Sequence, residues 1–461
     1  MKKGGMVIST IFYVIIAVIF LVVFSSIVYN FLASFPTVRG AIGEPTYVVC
    51  FGGGDDQAIH CLTKENGTEV FYFKAAAKWS DNGAESTPTL TEEGIYFGVN
   101  DHICAYNVAG QAIWECQDYG KKITSSTGIG KVHVCFGNKE KYYCLEKANG
   151  LLAREFGEPD EPFISVDDQS TYYANKFEYK ITLETGKSIE FAGKTIKMTS
   201  SKTAFAWVDV GSETYKMYPN EEYTAGDVII KVDDVTASSI TFNVFQKNRK
   251  FALGKYKLDR AEDDWVAPLQ YPVISEITIS DDKVCFGTFK DGTGRLICLD
   301  KAGNSKLNHA ESGKITTPAI DGDNIYVGFG KYFYKFYQPL GQSIWGKRYD
   351  NDVSTGIELV EGFACFAEGP TLHCFDVSAA TPKETFSVTA PTTWDFRETE
   401  SKPLILDDVV YFAMGDYVCA YATNSTGTFT GDEGAKWCVD FDEKIATDIV
   451  GLPSKKFEVP A

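Results

Sequence analysis

The stretch Gly94–Cys116 is a unit that this chain copies along most of its length. Two short β-rich runs, Ile95–Val99 and His102–Tyr106, flank a tight Asn-Asp turn. A third run, ending in Trp114, follows Gly110, where the turn needs a residue tolerant of positive φ. The unit is an antiparallel meander. The same pattern recurs at Ile325–Phe329 with Phe333–Trp345, and at Val410–Tyr421 with Ala435–Trp437. Looser copies run through Val134–Phe156, Tyr172–Phe191, Val284–Leu307 and Phe363–Phe386, with a truncated one at Val48–Phe73. The turn glycines at 67, 110, 150 and 186 lie 43, 40 and 36 residues apart, and those at 303 and 341 lie 38 apart. A period near 40 with about four strands per unit is the signature of propeller blades. The copies sum to eight blades, with nine as the alternative count. The first unit lacks an opening strand and Ile445–Val450 offers a spare one, so the termini are expected to close the ring and remove its edges.

Within the unit, Ala105-Tyr-Asn-Val-Ala-Gly-Gln-Ala-Ile-Trp114 resembles the Ala-x-Asp-x-x-x-Gly-x-x-x-Trp repeat of the pyrroloquinoline-quinone (PQQ)-like, or quinoprotein, β-propellers. The resemblance covers most of the chain and implies an all-β fold of about eight four-stranded blades. It also implies that Trp114, Trp345 and Trp437 pack between neighbouring blades, with Phe156, Phe191 and Leu307 as weaker substitutes. That superfold carries dehydrogenases, assembly factors and plain binding modules, so the resemblance leaves the activity open.

Aligned on the repeat, Cys61, Cys104, Cys144, Cys298, Cys374 and Cys419 fall in one column, in the strand before the glycine turn. Four of those blades carry a second cysteine on the preceding strand: Cys50, Cys135, Cys285 and Cys365. The other two carry it on the following strand, as Cys116 and Cys438. Every cysteine thus has a partner one strand away, and opposed residues of an antiparallel pair stand close enough for a disulfide. The expected pairs are Cys50–Cys61, Cys104–Cys116, Cys135–Cys144, Cys285–Cys298, Cys365–Cys374 and Cys419–Cys438. No Cys-x-x-Cys occurs and the five histidines are scattered, which leaves a cysteine metal site or haem attachment without support. Disulfides in this number imply an oxidising compartment, with a hyperthermophile interior as the exception.

Residues 6–32 form an almost unbroken apolar run, long enough to span a bilayer as a helix. Lys2 and Lys3 precede it, so the positive-inside rule places the N-terminus in the cytoplasm and the propeller outside. The organisation that follows is a transmembrane signal anchor at 1–32, a linker at 33–45, the propeller at 46–451 and a tail at 452–461. Lys-Lys-Gly-Gly before the helix also resembles the leader of archaeal type IV pilin-like proteins, in which case the propeller would be the head of a filament subunit. From about 219 to 265 the period breaks. Alternating residues there lack both the glycine-tryptophan turn and the cysteine column, and read as a small inserted β domain faintly similar to modules of archaeal surface-layer proteins. Asn66-Gly-Thr68 and Asn424-Ser-Thr426 fit the N-glycosylation pattern in turns of an outside domain.

The net charge of −18 argues against nucleic acid or an anionic membrane face as partner. The family's dehydrogenases use an Asp base, calcium held by Glu and Asn and, in alcohol-oxidising members, two vicinal cysteines; this chain has no vicinal cysteines. The acidic doublets, Asp407-Asp408 among them, sit at expected turns, where Asp bonds its own backbone. Asp321-Gly-Asp-Asn324 lacks the length and terminal Glu of a calcium loop, and no hydrolytic triad can be assembled. No catalytic residue, cofactor or metal ligand is therefore assigned. The expectation is a single-pass, cell-surface propeller that binds or scaffolds an envelope protein or glycan, the alternatives being a PQQ-type dehydrogenase and the pilin-like subunit. Protease added to intact cells should cleave beyond Pro36, and a fully protected propeller would refute the outside placement.

Overall fold

The structure, a computed structural model, describes residues 37–40 and most of 48–451; segments 54–57, 76–85, 247–250, 395–400 and 442–444 and a few isolated positions are the exceptions. The anchor at 1–32, with the leader motif, and the tail at 452–461 lie outside the described residues. Among the described residues, no helix is long and apolar enough to cross a membrane.

Strand pairing defines eight successive antiparallel blades among the described residues. Blade 1 orders Val450–Gly451, Val48–Gly52, Ala58–Thr63 and Glu69–Lys74; blade 2, Thr89–Leu90, Ile95–Val99, His102–Tyr106 and Ala112–Asp118. Blade 3 runs from Gly128 to Phe156 and blade 5 from Thr278 to Ser312. Blades 6, 7 and 8 begin at Ala319, Glu358 and Leu404. The C-terminal strand closes the ring, since Val450 opposes Cys50 and Gly451 opposes Val49.

Each interface between consecutive blades is a separate apolar cluster, and the clusters are of two alternating kinds. The faces between blades 1 and 2, 3 and 4, 5 and 6, and 7 and 8 hold the disulfides. The faces between 2 and 3, 4 and 5, 6 and 7, and 8 and 1 hold Trp114, Trp265, Trp345 and Trp437 in turn. Where an odd blade has Cys in its second strand, an even blade has a buried Tyr: Tyr96, Tyr172, Tyr326 or Tyr411. Three of these rings lie beside their own blade's tryptophan at 5.9–6.2 Å. The underlying repeat is therefore a pair of blades.

Three tryptophans dock in one way on the next blade. The indole N–H of Trp114, Trp265 and Trp437 donates to the carbonyl of Lys147, Lys301 and Lys64, at 3.2, 3.0 and 2.9 Å. The ring lies against the hairpin glycine just beyond it, Gly150, Gly303 or Gly67, each with positive φ. A side chain at these glycines would collide with the indole as well as strain the turn. Blade 7 has Ser378-Ala-Ala in that hairpin, and Lys335 donates to the carbonyls of Val377 and Ala379 instead. Trp345 is accordingly only half-buried, wedged between Phe333 and Phe375.

The six disulfides join the six cross-strand pairs expected, with Cα atoms 4.1–4.2 Å apart. Their single column, however, is two. Cys104 and Cys419 oppose Phe97 and Phe412, one position away from the register of Cys61, Cys144, Cys298 and Cys374, and a one-residue slip in a strand turns a side chain to the opposite face. Cys104–Cys116 and Cys419–Cys438 therefore face the preceding blade, where each meets that blade's own disulfide.

Two boundaries differ from the sequence reading. The insertion spans 179–246 rather than 219–265, and enters between the second and third strands of blade 4, Ser170–Lys176 and Phe251–Lys257. It is a sandwich of two four-stranded sheets around Ile196, Met198, Val208, Ile230 and Phe242. Alternation and a glycine turn, here Gly186, mark any antiparallel meander, so its first half passed for a blade; Phe191 belongs to it, and Trp265 belongs to blade 4. Residues 37–40, expected within a linker, pair with Glu69–Lys74 as a fifth strand on blade 1. Blade 7 likewise gains a parallel fifth strand, Gly427–Thr430, from the long connection that separates Cys419 from Cys438.

Replacing Trp437 by Ala should cost about 3–5 kcal/mol as a buried aromatic truncation, and Trp345→Ala distinctly less. Denaturant unfolding of the two variants checks the order; equal losses would contradict the docking asymmetry.

Candidate functional site on the propeller axis

The axis is built by a recurring polar device. Ahead of the first strand in five blades a buried Ser or Thr hydroxyl accepts a hydrogen bond from a second-strand backbone N–H. The pairs are Thr447 with Gly52, Ser125 with Gly137, Ser275 with Gly287, Thr316 with Gly328, and Thr355 with Ala367, at 2.6–3.0 Å. Within the chain the spacing is 12 residues each time. Most of the second-strand partners are glycines because the neighbouring blade presses in: a Cβ on Gly287 or Gly328 would stand 2.7 or 2.6 Å from Ile315 or Val353. The bond satisfies a backbone donor that would otherwise be buried unpaired.

The residue after this hydroxyl, or after the serine at the same place in blades 2 and 8, stands at the axis, and here the chain varies what it repeats elsewhere. Thr87, Ser126, Glu276, Lys402 and Asp448, from blades 2, 3, 5, 8 and 1, line an axial cavity of about 410 Å³, joined by Glu358 of blade 7. Lys402 Nζ lies 2.9 Å from Glu358 Oε2, and its backbone N–H donates to Asp448 Oδ1 at 2.6 Å. Ser126 Oγ donates to Glu276 Oε1 at 2.8 Å, while the Glu276 N–H donates to Thr317 Oγ1 of blade 6 at 3.2 Å. With the Asp448 N–H donating to Thr87 Oγ1 at 3.3 Å, residues of seven blades gather at the axis in two hydrogen-bonded sets. A second cavity of about 640 Å³ between blades 5, 6 and 7 shares Asp448 as a wall.

Three carboxylates around one ammonium set the protonation. Burial works against charge on Lys402, yet Glu358, Glu276 and Asp448 outweigh it and hold the ammonium well above the usual lysine range. Burial first, then the charge of Glu276, push Asp448 up to about 6, with Lys402 opposing. The same geometry tests whether the calcium implied by the sequence resemblance fits. The carboxylates that would have to converge on it are already engaged: Glu358 by the Lys402 ammonium, Asp448 by the Lys402 N–H and Glu276 by Ser126. A divalent ion would have to displace a half-buried, ion-paired ammonium, so these residues do not fit a resident calcium.

The residues singled out from the sequence lie elsewhere. Asn66 and Asn424 are exposed, and Asn66 Oδ1 caps its turn by accepting from the Thr68 N–H. Asp407 and Asp408 both have positive φ, as a tight turn requires, and Asp407 pairs with Lys64 across the ring closure at 2.6 Å. Among the described residues one set of three groups, Asp101, His102 and Asp118, has the spacing to meet on an ion, and there Asp101 is engaged by His102 at 2.6 Å. The axial residues were missed because they share no residue type; the readable signal was the preceding Ser or Thr, placed 12 residues before the second-strand glycine.

No family model matches the sequence, and no curated protein matches it. Among solved structures the chain is similar to a europium-containing methanol dehydrogenase, at 10% identity and a TM-score of 0.46 over 84% of this chain and 83% of that one. It is also similar to the dihydro-heme d1 dehydrogenase NirN, at 11% identity and 0.40 over 77% and 76%. BamB from Moraxella catarrhalis follows at 10% and 0.36 over 72% and 95%. The propeller itself rests on the strand pairing and the eight inter-blade clusters.

A carboxyl with a raised folded pKa holds its proton more tightly folded than unfolded, so its contribution favours folding at low pH. That contribution declines as pH rises from the ordinary carboxylate range through about 6 and is constant above. Asp448→Asn should therefore flatten the fall in thermal midpoint across this window while keeping the acceptor for Lys402. Identical pH profiles for the two proteins would contradict the assignment.

Proposed function

We propose that the protein is a membrane-anchored, cell-surface propeller that binds or scaffolds an envelope protein or glycan and catalyses no reaction. The observation that carries this reading is Lys402: the axial carboxylates are balanced by a cation of the protein itself, which suits a preformed recognition surface. The six disulfides support an oxidising, extracytoplasmic setting. Each closes a loop of roughly 10–20 residues and stiffens one blade by at most about 3 kcal/mol in the chain-entropy account. Rigid blades hold their loops in place for a partner.

A second reading, a quinone-dependent dehydrogenase, is favoured by one observation, the convergence of Glu276, Glu358 and Asp448 in a concave axial site. One pair of measurements separates the two. The full chain in detergent should show no dye-linked alcohol oxidation with added PQQ and calcium, and should crosslink to a defined envelope component on intact cells. Turnover that disappears in Glu276→Gln would replace the binding reading with the dehydrogenase.

A further inference from the structure

A wide cleft lies away from the axis, where the inserted sandwich approaches blades 4 and 5. It measures about 740 Å³, within the range of small-molecule sites, and its walls include Arg295, Thr288, Asn308, Tyr271 and Gln270, with Asp227 contributed by the insertion. We infer that this cleft binds a carboxylate-bearing sugar, with Arg295 as the group that receives the carboxylate. The site is separate from the axial cavity, and its test leaves the reading of that cavity untouched.

Arg295 is set apart by what it lacks. Among the described residues no carboxylate pairs with it, although the chain has 62 acidic residues. Its Nη1 donates to the neutral Asn308 Oδ1 at a long 3.3 Å, its Cζ stands 5.2 Å over the Tyr271 ring, and its buried Nε has no partner. A second, independent group points the same way. Thr288 is Arg295's cross-strand neighbour, is fully buried, and leaves its hydroxyl without a hydrogen-bond partner. Buried polar atoms without partners are costly and uncommon, and these two stand side by side behind the wall of one cleft, so the region is under-satisfied and the outer guanidinium nitrogens of Arg295 are what a polar ligand meets.

The chemistry of the wall narrows the ligand. A guanidinium offers a planar fork that matches a carboxylate. One cation without a carboxylate partner, in a cleft that Asp227 also lines and within a chain of charge −18, suits a single negative charge better than a dianion. Around it Gln270, Asn308 and Tyr271 each donate and accept, and Asp227 accepts, which is the mixture that sugar hydroxyls require. An acidic peptide would share the carboxylate and lack the hydroxyls.

Calorimetric titration of the full chain in detergent tests the inference, with glucuronate as probe and glucose, acetate and a glutamate-containing tripeptide as comparisons. Glucuronate should bind, with each comparison weaker by about tenfold or more. Arg295→Gln should weaken it about 10- to 100-fold, as expected for loss of a charged hydrogen bond. Asn308→Asp, at an exposed position, would place a carboxylate on Arg295 and should abolish binding while leaving thermal stability unchanged. That variant keeps the test decisive if Arg295→Gln misfolds. No binding of glucuronate, acetate or tripeptide binding equal to it, or indifference to both substitutions would each overturn the inference.

Discussion

Each blade is a sheet with two apolar faces, and neither face can leave water except against the neighbouring blade. That single constraint makes the ring obligatory, because an open arc would leave two faces and two strand edges exposed. It also explains why Val450–Gly451, a strand of two residues, matters beyond its length. By pairing with Val48–Gly52 it brings Trp437 of blade 8 onto Gly67 of blade 1 and seals the last cluster. The same interface gains the Lys64–Asp407 ion pair.

The faces are buried in two ways that alternate around the circle. Tryptophan docking fixes one blade to the next through a directional N–H bond and a glycine that admits the ring. Disulfides fix pairs of strands within a blade, and present an inert, compact apolar surface to the neighbour. The interface between blades 6 and 7 shows what happens when the glycine is lost: the ring stays half-exposed, and the carbonyls it would have used are taken by Lys335. Lys255 and Lys335 stand opposite Tyr172 and Tyr326 in the two blades that have no disulfide, so a tyrosine and the stem of a lysine fill the column that cysteines fill elsewhere.

With both faces of every blade committed to packing, variation is left to the axis and to the hairpins. At the axis the backbone is held by a recurring hydroxyl, and the next side chain is free to differ from blade to blade; Glu276 and Asp448 occupy such positions. In the hairpins, blade 4 accommodates a whole sandwich between two paired strands without disturbing their register, since Ser170–Lys176 and Phe251–Lys257 still align along seven residue pairs. The cleft that holds Arg295 lies beside that insertion.

The local sequence by itself determined the meander, the turn glycines, the ring closure and the cysteine partners, because each depends on residues within one hairpin or on the period of the repeat. Asn66 and Asn424 were legible as exposed turn residues for the same reason. Tertiary structure alone decided which face each disulfide occupies, since that turns on a one-residue register that spacing from Gly110 did not reveal. It decided that Trp265 is a blade residue and Gly186 is not, because a meander in the sandwich and one in a blade share the same alternation. It also decided the two candidate sites. The axial cluster gathers residues from blades that lie hundreds of positions apart in the chain, and the unpaired state of Arg295 depends on which carboxylates the fold keeps away from it.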